Sequence, residues 1–464
     1  MDITPPLGIS INGYFIPRKA EKVLDALEVN CIALSCGDRK VLMMTLDNLG
    51  VSQKLLAPMQ QAVVQATGLP LEAIYIGATH SHTAGTITPM LENEENLEYR
   101  ETVKEKLVEA AQLALADLKP ARMGWAVGQA PNVAFVRRFR MKDGSVRTNP
   151  GTNHPDIVAP IGQVDERVNV LRFDREGGDT LVLMNFGNHP DTVGGSSISA
   201  DWPGFARRSL EQAIPGTKSL LFNGAQGDVN HINVHPTGGA GNDLTRDFDD
   251  VDRGYGHARH IGRVIAGAVL QVYDKVCYTD VDRLDYAQCV ADIPSNMPEE
   301  KDLPLARKYA QLHDEGKEAE IPYTGMMLTT VVAEALRMVR LEHGPASFPL
   351  PLSAIAIGNV ALLGIPGEPF TNGVSATDAR NAAGSSPFGM TEPSLMSMLK
   401  YPPSNSSKGA SMVSVPTMVF IGDGRYSSGI SVPRSTYISE TLPARRRMVS
   451  VWSPQKPILS RSAT

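Results

Sequence analysis

Val41-Leu42-Met43-Met44-Thr45-Leu46, the stretch 51–66, and Glu72-Ala73-Ile74-Tyr75-Ile76-Gly77-Ala78 decide how this chain folds. The two apolar runs have the length of buried strands. Between them Val51, Leu55, Leu56, Met59, Val63 and Val64 recur at helical spacing until Gly68 and Pro70 stop the pattern. Strand, helix, strand is the repeating unit of an α/β sheet. Upstream, Cys31-Ile32-Ala33-Leu34 reaches Val41 through Gly37-Asp38-Arg39-Lys40, which predicts a β-hairpin. Downstream the alternation continues with a helix over 95–117 and paired strands Val168–Phe173 and Thr180–Phe186. Helices over 203–213 and 254–273 follow, with a strand Ser219–Phe222 between them. The expectation is one α/β domain, 1–380, with a central mixed β-sheet or sheets flanked by helices. Helices over 299–316 and 325–342 read as a helical insertion at about 293–345, followed by strands Leu352–Ile357 and Val360–Gly364 around Gly358-Asn359. Residues 381–464 hold 18 Ser and three acidic residues with weak apolar periodicity, so an atypical Ser/Pro-rich, partly irregular segment is expected there. Its one clear element is Thr417–Ile421.

The chain has 464 residues, of which 42% are hydrophobic, ample for a sizeable core. Lys and Arg total 44 against 50 Asp and Glu, a net charge of −6 with no basic surplus for a phosphate backbone, so nucleic acid is excluded as a partner. Four cysteines without CxxC spacing predict a reduced, cytoplasmic chain. Met1-Asp2-Ile3-Thr4-Pro5-Pro6 shows no signal peptide, and no apolar run reaches the roughly 18–20 residues of a membrane helix. The expected partner is a small-molecule substrate, with no membrane insertion; a homo-oligomer stays open.

Four polar clusters stand at strand ends, where α/β proteins build sites. The first is Gly77-Ala78-Thr79-His80-Ser81-His82-Thr83-Ala84-Gly85. Residues two apart on a strand point to one side, so both imidazoles can address one point, and imidazole suits zinc. The second, Gly187-Asn188-His189-Pro190-Asp191, puts another histidine after an apolar strand. The third is the glycine-rich Asn223-Gly224-Ala225-Gln226-Gly227-Asp228-Val229-Asn230-His231. The fourth, Gly364-Ile365-Pro366-Gly367-Glu368-Pro369-Phe370, fixes a carboxylate between prolines. Each alone reads as well as a polar turn. Together they favour a site in which three protein ligands leave a position for water on a catalytic zinc, Zn2+.

In this order the clusters resemble the neutral/alkaline (non-lysosomal) ceramidase family, zinc amidases that hydrolyse the N-acyl bond of ceramide, the chain reading as a divergent, bacterial-type member. The resemblance runs from Asp2-Ile3-Thr4-Pro5-Pro6 to about residue 373. It is carried by Thr79-His80-Ser81-His82, Phe135-Val136-Arg137-Arg138, Asn188-His189 with Ile198-Ser199-Ala200-Asp201, Gly227-Asp228-Val229-Asn230 and Pro366-Gly367-Glu368-Pro369-Phe370. It implies that His80, His189 and Glu368 bind zinc, with Tyr426 of Arg425-Tyr426-Ser427-Ser428 as the matching tyrosine ligand. His82 is implied beside the metal or substrate, and Arg137 as an anchor near the scissile group. Asp228 and Asn230 join them as catalytic residues, and Arg138, His231 and Asp201 fall to substrate binding. Asn230 stands where the ceramidases carry serine, which excludes a serine-dependent step and points away from ceramide, though an asparagine can donate to an oxyanion. The family's immunoglobulin-like β-domain is not expected within this chain.

The expected function is a zinc-dependent hydrolase cleaving an amide or related acyl bond of a small polar molecule by a zinc-activated water. Two alternatives stay open. The basic residues Arg137, Arg138, Arg140, Lys142 and Arg147 would suit a metal-dependent phosphoesterase or a sugar-acid hydrolase or isomerase. A homologue that binds metal or ligand without turnover is the other.

Overall fold

A computed structural model of the chain describes residues 1–14, 16–89, 94–235, 253–371, 413–414, 417–422 and 448–452. β1 (Val29–Cys36) and β2 (Arg39–Leu46) form the hairpin, in register from Val29 opposite Leu46 to Cys36 opposite Arg39. α1 (Gln53–Thr67) crosses to β3 (Ile74–Ala78), which lies parallel to β2. α2 (Leu97–Ala116) leads into β4 (Lys119–Gln129), then β5 (Arg167–Arg175) and β6 (Thr180–Phe186), each antiparallel to the last. α3 (Asp201–Ala213) crosses to β7 (Thr217–Asn223), parallel to β6. Both parallel pairs are joined through a helix because a tight turn cannot reverse the chain twice.

α4 (Tyr255–Val272) and β8 (Cys277–Thr279) follow, the strand lying against β4. β9 (Leu284–Pro294) opens a second sheet; α5 (Leu303–Asp314) and α6 (Gly325–Leu341) interrupt it and pack on each other through Tyr309, Leu312, Val332 and Ala335. β10 (Ser347–Ile357), β11 (Val360–Ile365) and β12 (Thr417–Gly422) complete that sheet as successive antiparallel neighbours. β13 (Met448–Trp452) enters the first sheet between β4 and β1, giving the order β7-β6-β5-β4-β13-β1-β2-β3. The molecule is thus α/β, with mixed sheets flanked by helices. Among the described residues no helix is long and apolar enough to cross a membrane.

β1, β2, β3, β6 and β7 are buried on both faces over most of their length, which explains why they read as nearly unbroken apolar runs. Cys31, Ala33, Leu42 and Met44 pack with Met59 and Val63 of α1 and Val103 and Leu107 of α2. On the other face Ile32, Leu34, Val41 and Met43 share a core with Leu171, Phe173, Leu181, Leu183, Leu220 and Phe222. Ile355, Ile357 and Leu362 of the second sheet close that core. Val170, Val182, Met184 and Leu221 point away from it, onto Ala206, Leu210, Ile261 and Ile265 of α3 and α4. The inner faces of the two halves of the long sheet therefore meet. Each fully buried Leu, Ile or Phe contributes roughly 1.5–3 kcal/mol to this association. Its geometric result is that loops leaving β3, β6, β7 and β11 share one end of the molecule.

Candidate metal centre

His80 follows β3 in a left-handed backbone conformation, φ 74°, which costs a non-glycine residue roughly 1–3 kcal/mol and has to be held by its surroundings. Here the His80 N–H donates to the Asn48 carbonyl at 2.9 Å, and Nδ1 lies 2.8 Å from the Leu49 carbonyl. That carbonyl is an acceptor only, so Nδ1 carries the proton and the lone pair sits on Nε2. The Nε2 atoms of His82 and His189 each lie 3.2 Å from His80 Nε2. His189 faces the Gln226 carbonyl with its Nδ1 at 3.4 Å, the same arrangement in a looser form. His80 and His189 are buried, His82 half-buried.

Burial holds His82 neutral, its pKa lowered to about 3 although Asp191 pulls the other way from 3.8 Å. Burial, with Arg137 adding to it, keeps His189 well below the usual imidazole range. Neutral imidazoles whose lone pairs converge repel one another unless a cation lies among them. A carboxylate stands beside them: Glu368 Oε1 is 3.4 Å from His80 Nε2 and Oε2 is 3.9 Å from His189 Nε2. Desolvated nitrogens with one hard oxygen are a donor set suited to a borderline ion such as zinc. The residues present therefore fit the group that the sequence implied.

The loops are pinned by polar residues behind them. Asn223, at the end of β7, donates from Nδ2 to the carbonyls of Thr79 (3.1 Å) and Asn188 (3.0 Å), bridging the two histidine loops. Asn188 accepts the His189 N–H at 2.9 Å and donates to the Val133 carbonyl at 2.9 Å. Asp191, behind His82, accepts from Tyr14 at 2.6 Å and from both Nη atoms of Arg253 at 2.7 and 3.1 Å. Burial alone would raise the Asp191 carboxyl, yet the group lies below the usual carboxylate range, with the Arg253 guanidinium bonded to both its oxygens as the permanent opposing charge.

The other expected site residues divide. Arg137 lies at the centre, with Nη2 3.6 Å from Glu368 Oε2, while Nε and Nη2 donate to the Gly227 carbonyl at 3.1 and 2.7 Å. Asp228 turns both carboxylate oxygens to Thr371, accepting its N–H at 2.8 Å and its hydroxyl at 3.0 Å. Asn230 pairs in a short ladder with Phe135, and its Oδ1 accepts the Ile232 N–H at 3.1 Å. Asp201 accepts the N–H groups of Thr192, Val193 and Trp202, a brace at the start of α3, and burial pushes its pKa up to about 7. His231 is buried beside His257, ring centroids 5.6 Å apart, and the Arg138 guanidinium lies 4.7 Å over the Phe370 ring. The remaining basic residues disperse: Arg140 is exposed, Lys142 pairs with Asp156 and Arg147 with Asp143. Tyr426 lies outside the described residues. Tyr14, Arg253 and Thr371 gave no sequence signal, since each is far along the chain from the group it supports.

No protein-family model and no curated protein matches the chain. Among solved structures it is similar to the neutral ceramidase from Pseudomonas aeruginosa, with a TM-score of 0.57 and 15% identity, over 84% of this chain and 65% of that one. A ceramidase complexed with C2 matches with a TM-score of 0.57 and 16% identity, over 82% of this chain and 64% of the other. The chain thus spans just under two thirds of the length of these neighbours, and at such identity the likeness is one of fold.

Proposed function

We propose that the chain is a zinc-dependent hydrolase of an amide or related acyl bond in a small polar substrate. One observation carries this reading: the Nε2 atoms of His82 and His189 both stand 3.2 Å from that of His80. The fold shared with ceramidases supports it. His80, His82, His189 and Glu368 would hold the cation, so His82 takes a place in the donor set rather than only beside it. When bound, zinc supplies Lewis-acid polarisation of an acyl carbonyl and lowers the proton affinity of a water molecule.

The chain's own residues do the rest. Burial keeps His82 and His189 unprotonated, so no proton has to leave them for a cation to bind. Asp191 accepts from Tyr14 and Arg253 and holds its carboxylate 3.8 Å behind the His82 Nδ1. Arg137, anchored on the Gly227 carbonyl, keeps its guanidinium at the Glu368 edge, where it can hold a substrate carbonyl or carboxylate. Asn230 lies opposite Phe135 in the short ladder that precedes Arg137, with its Oδ1 taken by the Ile232 N–H.

Metal analysis of the purified chain is expected to find about one zinc per molecule, and a chelator to abolish hydrolysis of a panel of N-acyl amines and N-acyl amino acids. His189→Ala is expected to remove metal and activity together. Retention of both would overturn the reading, and turnover of phosphate esters in place of acyl compounds would redirect it.

A further inference from the structure

The loop 366–371 that delivers Glu368 is fastened along its length to residues 226–228. Gln226 and Gly227 donate their N–H groups to the Pro369 carbonyl at 3.1 and 3.0 Å. Gly227 lies so close to Glu368 that a Cβ at position 227 would stand 2.2 Å from the Glu368 carbonyl oxygen. Three residues beyond Glu368, Asp228 takes the N–H and the hydroxyl of Thr371, one on each carboxylate oxygen. Asp228 is 1% exposed, so these bonds are sheltered from water. The same turn is tied on its other side to Arg137, whose N–H donates to the Asp228 carbonyl at 3.0 Å.

We propose that Asp228 and Thr371 form a clasp that sets the position of Glu368 against the imidazoles, making Asp228 a positioning residue and not a proton-transfer group. The inference rests on the metal reading of the site. Glu368 is the most exposed member of the cluster, its side chain 37% accessible against 4% for His80 and His189. His80 and His189 follow strands of the long sheet, and each faces a backbone carbonyl with its Nδ1. Glu368 stands three residues past the end of β11, so its place is set by what holds the loop. A carboxylate with both oxygens already engaged by one residue is poorly disposed to take a proton from substrate, but well disposed to fix a loop.

The test measures zinc affinity of the full chain by competition with a chromophoric chelator, alongside the visible absorption of the cobalt-substituted protein. Asp228→Ala removes both acceptors that hold the Thr371 N–H and hydroxyl. It is expected to keep one zinc per chain and weaken binding by about 10–100-fold, with a changed cobalt spectrum. Glu368→Gln is expected to weaken binding similarly, and in that background Asp228→Ala is expected to add nothing. Thr371→Val is expected to lower affinity while Thr371→Ser, which keeps the hydroxyl, restores it; this pair carries the test if Asp228→Ala fails to fold. Unchanged affinity in Asp228→Ala, or the same loss with Glu368 already replaced, would overturn the clasp. A wild-type chain that takes up no zinc would instead overturn the metal reading itself, and with it the clasp's purpose.

Discussion

Asn223 shows how one side chain can decide whether two distant loops form one site. It is buried, and its amide serves the carbonyls of Thr79 and Asn188, which precede His80 and His189 in the chain by one residue each. Its Oδ1 also faces the Asn188 N–H at 3.3 Å. Asn223→Ala leaves two buried carbonyls without that donor, each worth about 1–3 kcal/mol when unsatisfied. The expected result is a chain destabilised by roughly 2–4 kcal/mol in urea unfolding. Its zinc affinity should fall too, because the histidine loops lose their common anchor. Asn223→Asp is the informative partner, since a carboxylate cannot donate to either carbonyl and should behave no better than alanine. Recovery of zinc binding in Asn223→Asp would show that size, not donation, matters at this position. Sequence reading placed Asn223 in the right cluster but gave it no task, because the carbonyls it serves belong to the ends of two other strands.

At the scale of elements, what was legible in the sequence is what buries a periodic apolar surface. The hairpin β1–β2, the crossover through α1, the paired strands β5 and β6 and the helices α2, α3 and α4 all announce themselves, because each offers a repeating apolar face to a core. β4 did not. Lys119-Pro120-Ala121-Arg122-Met123-Gly124-Trp125-Ala126-Val127-Gly128-Gln129 carries two glycines and a proline and so lacks a strand's usual composition. Yet this strand lies near the middle of the long sheet, and Gly128 explains why it has to look that way. A Cβ there would lie 2.3 Å from the Ala268 carbonyl of α4, a backbone atom that cannot rotate aside. Gly128→Ala is therefore expected to cost about 1–3 kcal/mol by forcing α4 off the sheet. Gly267, inside α4 itself, meets nothing within 4 Å, so Gly267→Ala should stabilise the chain by up to about 1 kcal/mol. Thermal unfolding of the two variants side by side checks both signs, and a neutral Gly128→Ala would contradict the packing of α4 on β4. β13 was likewise missed, in a Ser-rich segment whose reading rests on composition, and composition says nothing of a five-residue strand inserted between β4 and β1. The four clusters of candidate residues were visible because polar residues at strand ends break an apolar pattern. The division of labour among them was not, since Asp228 and Asp201 face backbone donors brought in by folding.

For the whole molecule the question is what fastens the two halves of the long sheet where their ends meet. Arg207, on α3 and 2% exposed, reaches across to the first half. Its Nη atoms donate to Asp47 at 3.0 and 2.5 Å and to Glu28 at 3.2 Å, and Asp47 in turn accepts the Thr79 hydroxyl at 3.3 Å. One guanidinium thus links α3 to the residues flanking β1 and β2, one step from His80. Removing it leaves the buried Asp47 carboxylate without its counter-charge, so Arg207→Met is expected to cost about 3–5 kcal/mol. The Glu28 part of the pH dependence has a definite sign. Burial would raise the Glu28 carboxyl, but Arg207 and the N-terminal ammonium outweigh it and the pKa in the folded chain lies below the ordinary value. A depressed carboxyl stabilises the fold above its unfolded pKa, about 4.3, and the contribution disappears as pH falls through the lower folded value. In thermal melts of the wild-type chain the Glu28 share of the stability should accordingly be lost below about pH 4.3, while the Asp47 carboxyl, raised by its burial, contributes with the opposite sign. With Arg207→Met the Glu28 carboxyl loses its strongest opposing charge, and that part of the acid-side slope should flatten. A slope unaltered by the substitution would mean that the halves are held together elsewhere and that the ion group only fills the space between them.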